Sequence, residues 1–316
     1  MTRQASLSAF AKLNLDLRVL HKRADGYHEL RTVFQTISLA DRIRLAFTPG
    51  RSTTVELDSQ PTIPDNLVER AARAVLEASN AKGAVRIALA KRIPMGAGLG
   101  GGSSDAAAIL LALPVLTGRP LALTRLEEIA LQLGSDVPFF LHGGAALGLG
   151  RGEELYPLPD ARLGPILVVA PAIHVSTAEA YRALHRELTF TALSHTLSSF
   201  RCFVWSHGGG PPGEAATGGA NDFEDPVFAR HPDLRKLKTK LKRLGARHAM
   251  MSGSGSSLFG IFRSEEDLQF AADRFAPGTT FAVKALPRRR YQQLWRRRLA
   301  PHTTGSEWPP LSRYSK

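Results

Sequence analysis

The sequence predicts an α+β protein built from two domains. The chain has 316 residues, enough for one large domain or two ordinary ones. Segments in which apolar and polar residues alternate, as in strands, are interspersed with segments whose apolar residues recur at helical spacing. A polar, proline-bearing stretch, Arg151–Arg162, divides the chain. We therefore predict an N-terminal domain over residues 1–157, a second domain over 158–290 and a basic tail over 291–316.

The first half is predicted to consist mainly of strands. Lys12–Val19 alternates apolar and polar residues, which predicts a strand with one buried face, and with Lys12 and Asn14 pointing away from the core. An extended stretch up to about Leu39 follows the Asp25-Gly26 turn. The spacing of apolar residues predicts three further strands and one helix, at Arg42–Phe47, Thr53–Leu57, Val85–Leu89 and Asp65–Asn80 respectively.

Two more helices are predicted before the domain boundary. Ser103 and Ser104 are good N-cap residues, and the Ala/Leu-rich run after them favours a helix. Thr124 and Glu127 have the spacing of a capping box, which predicts the start of another helix that ends near Gly134.

The second half alternates strands and helices. Ser206–Ala220 is low in complexity, which predicts a mobile loop. The remaining segments predict strands at Pro165–Ala170, within Arg247–Phe262 on either side of a glycine turn, and at Phe281–Leu286, with helices at Ser176–Arg186, Pro232–Leu244 and Ser264–Phe275.

The chain carries 41 Lys+Arg against 28 Asp+Glu, a formal net charge of +13. Such a protein attracts anions such as nucleic acids, acidic membranes or phosphorylated metabolites. Much of the excess lies in Lys236–Arg243 and Arg288–Arg298, which we interpret as a solvated helix face and a basic surface tail. A single cysteine, Cys202, excludes an internal disulfide framework and indicates a reducing, cytoplasmic location. No apolar run is long enough for a membrane span.

Glycine is concentrated in one loop. Five of the seven residues Gly96–Gly102 are glycine. The loop follows a predicted strand and leads into a predicted helix, a position where free backbone amides bind anions. No lysine precedes Ser103, which excludes a Walker A loop. The dinucleotide fingerprint at Gly96, Gly98 and Gly101 is a weak match, because no βαβ unit with a suitably placed acidic residue follows. The loop is therefore predicted to bind phosphate through its amides.

Three motifs in this order resemble the galactokinase, homoserine kinase, mevalonate kinase and phosphomevalonate kinase (GHMP) superfamily. They are the glycine loop with its serines, FAKLNLDLRV (Phe10–Val19) and MSGSGSSLFGIF (Met251–Phe262). AKLNL, ADGYHEL, GLGGGSSDAA and GSDVPFF resemble one branch in particular, kinases that phosphorylate a diphosphocytidyl alcohol in the non-mevalonate isoprenoid precursor pathway. The resemblance implies a two-domain fold with the active site in the cleft between the domains, ATP as co-substrate with Mg²⁺, and a small-molecule substrate that carries a cytidine diphosphate group.

The resemblance also implies roles for individual residues. From the residues alone, Asp136 fits a turn or N-cap aspartate as well as a catalytic base, and Lys12 fits an ordinary surface lysine. The resemblance makes Asp136 the base and Lys12 the partner that keeps it ionised and polarises the attacking hydroxyl. It assigns ATP binding to the loop and to two residues near the adenine: Pro94, Met95, Gly96, Ala97, Gly98, Leu99, Gly100, Gly101, Gly102, Ser103 and Ser104, with Asn66 and Lys91.

Substrate binding is assigned to two groups of residues. Asn14 shares the polar face of Lys12 and is expected to orient the substrate. Tyr27 and His28 offer a stacking face and a donor–acceptor edge that suit cytosine, although a hairpin tip with one aromatic anchor fits them too. The resemblance adds Tyr181 as the other face of the base site, with Thr177 nearby. No residues are assigned to the metal.

Two alternatives remain open at this stage. Another GHMP kinase, of the homoserine or mevalonate type, would share the glycine loop. A basic nucleic-acid-binding protein would use its Lys/Arg clusters with interleaved aromatic residues, for which Tyr291 and Trp295 give thin support. We expect a monomer or weak homodimer.

Overall fold

The structure, a computed structural model, describes residues 1–160, 163–184 and 219–315. These ranges form two main β-sheets with helices packed against them, which confirms the predicted α+β class. The predicted loop Ser206–Ala220 lies outside the described residues except for its last two, and so do the last two residues of the predicted helix Ser176–Arg186.

The first sheet is built on a long hairpin. Strand β1 (Arg3–Lys22) pairs antiparallel with β2 (His28–Pro49), with register partners running from Arg3 and Phe47 to Lys22 and His28. The predicted strand at Arg42–Phe47 is therefore part of β2 rather than a separate strand. The sheet order is β3-β4-β2-β5-β6, with β1 paired to β2, where the added strands are β3 (Thr54–Gln60), β4 (Gly83–Ala90), β5 (Ala145–Leu149) and β6 (Glu154–Pro157).

Four helices from the first half of the chain pack with this sheet in the largest apolar core of the described residues. The predicted helix at Asp65–Asn80 is confirmed, and Asn66 caps it by accepting a hydrogen bond from the Val68 backbone amide. The predicted capping box at Thr124 and Glu127 is wrong, because the N-cap of that helix is Ala122, two residues before Thr124, and no side chain caps it. The helices are α1 (Leu67–Ala78), α2 (Gly101–Thr117), α3 (Leu123–Leu133) and α4 (Val137–His142).

The second sheet is antiparallel, in the order β10-β7-β9-β8. Its strands, β7 (Ile166–Val169), β8 (His248–Met251), β9 (Leu258–Ile261) and β10 (Thr280–Val283), lie within or close to the predicted segments. Ser264 caps one of its helices by accepting from the Asp267 amide, as an N-cap serine should. The helices of this half are α5 (Thr177–Ala183), α6 (Glu224–Arg230), α7 (Pro232–Arg243) and α8 (Glu265–Ala272).

The middle of β1 lies between the two halves of the molecule. Leu13 and Leu15 pack in one apolar cluster with Val168, Phe259 and Ile261 of the second sheet. Lys12 and Asn14, on the other face of the strand, are buried as well. The prediction that β1 has only one buried face is therefore wrong. A strand that lies between two layers is buried on both faces. Its alternating pattern then distinguishes an apolar face from a polar face, and both of these faces are buried.

Residues 288–315 are not a surface tail, which corrects the prediction for this end of the chain. Helix α9 (Arg288–Leu299) buries Tyr291, Trp295 and Leu299 in the same core as α2 and α4. These three side chains recur every four residues and form one buried face of the helix, while most of its arginines lie on the remaining faces. Two short strands follow, β11 (Thr303–Thr304) and β12 (Leu311–Ser312).

The predicted end of the second domain at residue 290 falls inside α9, and the boundary at residues 157 and 158 stays a prediction. Among the residues that the structure describes, no helix is long and apolar enough to cross a membrane.

Candidate active site

The glycine loop leads directly into α2. Gly96, Gly98 and Gly100 have φ angles of 64°, 77° and 70°, in the left-handed region where glycine is favoured. Gly100 is the N-cap and makes no side-chain cap. Ser103 and Ser104 lie in the first turn of the helix rather than at its N-cap, which corrects the prediction. The first amides of a 17-residue helix thus have no carbonyl partner within the helix and carry its positive dipole end.

Two of these glycines are required by contacts within the protein, a reason that the sequence analysis missed. A Cβ at Gly98 would lie 2.1 Å from the Ser252 carbonyl oxygen, in the glycine turn between β8 and β9. A Cβ at Gly100 would lie 2.8 Å from the Phe140 ring. Ser252 Oγ also donates to the Gly98 carbonyl at 2.9 Å. The loop is therefore anchored to the second half of the molecule by backbone contact, while the space beside Gly102 is open.

Lys12, Asn14 and Asp136 form one polar cluster. Lys12 Nζ donates to Asn14 Oδ1 at 2.6 Å and lies 3.4 Å from Asp136 Oδ2. Asn14 Nδ2 donates in turn to Thr32 Oγ1 at 2.7 Å. The Lys12 side chain is 5% exposed and that of Asp136 is 34% exposed. A buried ammonium is stable only when it is paired. Lys12 is paired with Asp136, whose carboxylate is the more exposed member of the pair.

Asp136 is the residue before α4, but its carboxylate does not cap that helix. Its oxygens are therefore not committed to backbone amides there. Pro138 lies in the first turn of α4, where its missing N–H has no consequence.

Four of the predicted substrate residues come from two parts of the chain, Tyr27 and His28 from the end of the β1–β2 hairpin and Thr177 and Tyr181 from α5. Tyr27 is 55% exposed, and the Arg151 guanidinium lies 4.7 Å from its ring centroid. Tyr181 was predicted to form the other face of the base site, and in the structure its ring stacks on His28, with ring centroids 5.0 Å apart. Thr177 Oγ1 lies 2.8 Å from Ser254 Oγ.

Two of these rings have shifted pKa values. Burial raises the pKa of Tyr181 to about 12, and the charge of Asp136 acts in the same direction. Burial lowers the pKa of His28, with a further lowering by the charge of Lys22. Because the pKa of His28 is below its usual value, the imidazole is neutral at pH 7 and presents one donor and one acceptor.

Lys91 and Asn66 lie beside the part of the glycine loop that enters α2. Lys91 Nζ bonds Asp41 at 2.5 Å and Asp105 at 2.7 Å. Burial raises the pKa of Asp105 to about 7, against the opposing effect of Lys91. Neither aspartate was predicted to pair with Lys91, because Asp41 is far from it along the chain and Asp105 lies inside a helix-forming run. Asn66 Nδ2 is buried and has no partner among the described residues.

A cavity of about 1720 Å³ joins these features. It is lined by all of the predicted catalytic and substrate residues and by part of the loop: Lys12, Asn14, Tyr27, His28, Asp136, Thr177, Tyr181, Gly96, Gly98 and Gly100. Among the described residues that line it, Asp136 is the only carboxylate. Lys22, Arg151 and Arg182 add positive charge to its wall. The cavity therefore suits a ligand with several negative charges.

Comparison with known proteins agrees with this arrangement. Residues 66–144 match the family model of the GHMP kinase N-terminal domain, and residues 207–277 match that of the GHMP kinase C-terminal domain. A 4-diphosphocytidyl-2-C-methyl-D-erythritol kinase of Solibacter usitatus is 54% identical over 318 residues, covering 99% of each chain. The chain belongs to this kinase family. A Geobacter sp. member is 40% identical over 276 residues, 85% of this chain and 94% of the relative.

Comparison with solved structures points to the same kinase family. A crystal structure of 4-(cytidine 5'-diphospho)-2C-methyl-D-erythritol kinase superposes with a TM-score of 0.75 at 39% identity, covering 89% of this chain and 98% of that one. A mevalonate kinase from L. major, at 17% identity and a TM-score of 0.65, shares the fold. The resemblance inferred from the motifs is confirmed, and the chain, as a member of this family, is an ATP-dependent small-molecule kinase.

The Gly98 contact generates a stability prediction. Gly98→Ala places a methyl group against the Ser252 carbonyl at a positive φ, so we expect a loss of stability of about 1–3 kcal/mol. Thermal unfolding measures it, and Gly102→Ala is the matched control, since its Cβ has room and its backbone is helical. Equal melting temperatures for the two variants would contradict the contact.

Proposed function

We propose that the chain transfers the γ-phosphoryl group of ATP to the 2-hydroxyl of 4-diphosphocytidyl-2-C-methyl-D-erythritol, in the non-mevalonate isoprenoid precursor pathway. The observation that supports the proposal is one cavity that is lined by glycines of the loop before α2, by the Lys12–Asp136 pair and by a group of aromatic side chains. The names of the relatives supply the substrate. The proposal includes an active site in the cleft between the two halves, a cytoplasmic location and a monomer or weak homodimer.

The proposed nucleotide site is the loop from Pro94 to Ser104. The N-terminal amides of α2 and the dipole of the helix favour the triphosphate there. Asn66 caps α1, whose first residue, Leu67, lies close to Gly102, so it is proposed to border the adenine through this end of the helix. The ammonium of Lys91 is already paired with two carboxylates, so its role beside the adenine is to shape the site rather than to provide a free charge.

Mg²⁺ is proposed as an ion carried by the ATP phosphates. The described residues contain no group of three or more His, Cys, Asp or Glu side chains that could hold a metal. Mg²⁺ in kinases needs no such cage, because phosphate oxygens and water fill most of its ligand positions. The unpartnered Ser104 Oγ beside the loop is an oxygen donor that fits that requirement. Bound there, the ion would neutralise charge on the transferred group.

In this proposal Asp136 accepts the proton of the attacking hydroxyl. The Lys12 ammonium, 3.4 Å away, is paired with the carboxylate and is placed to polarise the hydroxyl oxygen. Asn14 accepts from Lys12 and is itself held by Thr32, so the ammonium has a defined direction. Phosphoryl transfer depends mainly on such positioning and on charge stabilisation.

The cytosine is proposed to bind at the Tyr27 and His28 end of the cavity. The exposed Tyr27 ring offers a stacking surface, and the neutral His28 has one donor and one acceptor for the base edge. Tyr181 supports this end by stacking on His28 and by packing edge-on against Phe223. Arg151 and Lys22 supply charge for the diphosphate.

A substrate panel tests the proposal. The purified chain is incubated with Mg-ATP and, separately, with the diphosphocytidyl alcohol, methylerythritol phosphate, mevalonate or homoserine. We expect phosphorylation of the diphosphocytidyl alcohol alone. Phosphorylation of mevalonate or homoserine with none of the cytidyl compound would move the chain to another kinase type of the superfamily.

Asp136→Asn retains the shape of the side chain and removes the proton acceptor. Loss of a general base lowers kcat by about 10²–10⁴-fold. The affinity for an ATP analogue, measured by calorimetry, should change little. Asp233→Asn, on the exposed side of α7, is the matched control and should leave kcat unchanged. Near-normal turnover by Asp136→Asn would exclude Asp136 as the base.

Tyr27→Ala removes the proposed stacking surface. Base–aromatic stacking contributes about 1–3 kcal/mol, so KM for the diphosphocytidyl alcohol should rise by about 10-fold to 100-fold, since 1.4 kcal/mol is a factor of ten. ATP affinity should be nearly unchanged. Tyr156→Ala, an equally exposed tyrosine outside the cavity, is the control. An unchanged KM would leave Tyr27 as a plain hairpin anchor.

A further inference from the structure

Helices α2 and α4 both begin at the cavity, where Gly100 and Asp136 line its wall. Their last carbonyl groups lie at the opposite ends of the helices, inside the protein. Carbonyls at a helix C-terminus have no partner within the helix, and a buried one is costly unless something donates to it. The donors at both far ends include side chains of the C-terminal segment, which we define as residues 288–315.

Helix α4 takes three such donors from the C-terminal segment. Tyr291 Oη donates to the Phe140 carbonyl, Trp308 Nε1 to the Leu141 carbonyl at 3.0 Å, and Arg288 Nε to the Gly143 carbonyl at 3.1 Å. The fit is close, because a Cβ at Gly143 would lie 2.4 Å from the Tyr291 ring.

Helix α2 is held in the same way. Ser312 Oγ donates to the Val115 carbonyl at 2.7 Å, and Tyr314 packs on Gly118, where a Cβ would lie 3.0 Å away. The Arg3 guanidinium lies over the Tyr314 ring at 3.8 Å and donates to the Leu116 carbonyl at 2.7 Å. One segment of chain therefore fixes the far ends of both helices.

We propose that the C-terminal segment is a positioning element for the phosphoryl-transfer site, with Tyr291 and Trp308 as positioning residues that act through α4. A six-residue helix is not stable by itself, so the direction in which α4 presents Asp136 depends on what holds its other end. The Phe140 ring of α4 also packs on Gly100, the N-cap of α2. A shift of α4 therefore moves Asp136 relative to Lys12 and to the loop. The catalytic part of this inference rests on the proposed function.

Tyr291→Phe tests the inference with a minimal change. It removes one hydroxyl and leaves the Phe140 carbonyl unpartnered, while the ring still fills its place. We expect faster amide hydrogen exchange in Val137–His142 and a kcat about 10-fold lower, with KM for ATP and for the alcohol unchanged, because a misplaced reacting group lowers the rate without weakening binding. Trp308→Phe, which removes the N–H donor to Leu141, should act in the same direction.

Leu268→Ala is the matched control, a buried truncation in α8 of the second half. It lowers stability without touching α4, so it should leave exchange in α4 and kcat unchanged well below the melting temperature. Two results in Tyr291→Phe and Trp308→Phe would overturn the inference. One is an unchanged rate of amide exchange in α4, and the other is faster exchange in α4 together with a wild-type kcat. A wild-type chain that phosphorylates nothing in the panel contradicts the proposed function instead, and the exchange measurement still decides whether the segment holds α4.

Discussion

A lysine ammonium buried in the middle of β1 is the constraint on which the rest of the site depends. Removing Lys12 from water is costly unless partners compensate for its charge. Asn14 and Asp136 are those partners, and they come from the same strand and from the start of α4. The strand pairing of β1, the position of α4 and the closure of the two halves over β1 must therefore all be correct before the ammonium is satisfied.

The halves of the molecule meet through close backbone approach as well as through apolar packing. Leu13, Leu15 and the facing strands of the second sheet form one continuous core. In addition, the backbones of Gly98 and Ser252 approach each other so closely that position 98 has no room for a Cβ atom. The glycines of the loop thus have two roles. They allow the positive φ angles of the loop, and they let the glycine turn between β8 and β9 pack closely against it.

Much of this could be predicted from local pattern. The alternation in Lys12–Val19 predicted a strand with Lys12 and Asn14 on one face, and the motifs predicted the family and the residues of the cavity. Local pattern could not show that both faces of β1 are buried, because that depends on a layer contributed by residues far along the chain. The same holds for Lys91, whose partners Asp41 and Asp105 meet it only in the fold. The apolar face of α9 was missed because arginines dominate its composition, and the spacing of Tyr291, Trp295 and Leu299 was the signal available.

The most direct test of the account is a crystal structure of the chain with a non-hydrolysable ATP analogue and the diphosphocytidyl alcohol. The account predicts the triphosphate at the N-terminal amides of α2. It predicts the cytosine against Tyr27 and His28, and the 2-hydroxyl about 2.6–3.2 Å from the Asp136 carboxylate, on the line to the γ-phosphate. A complex with the nucleotide phosphates away from the glycine loop, or with the hydroxyl out of reach of both Asp136 and Lys12, would contradict it.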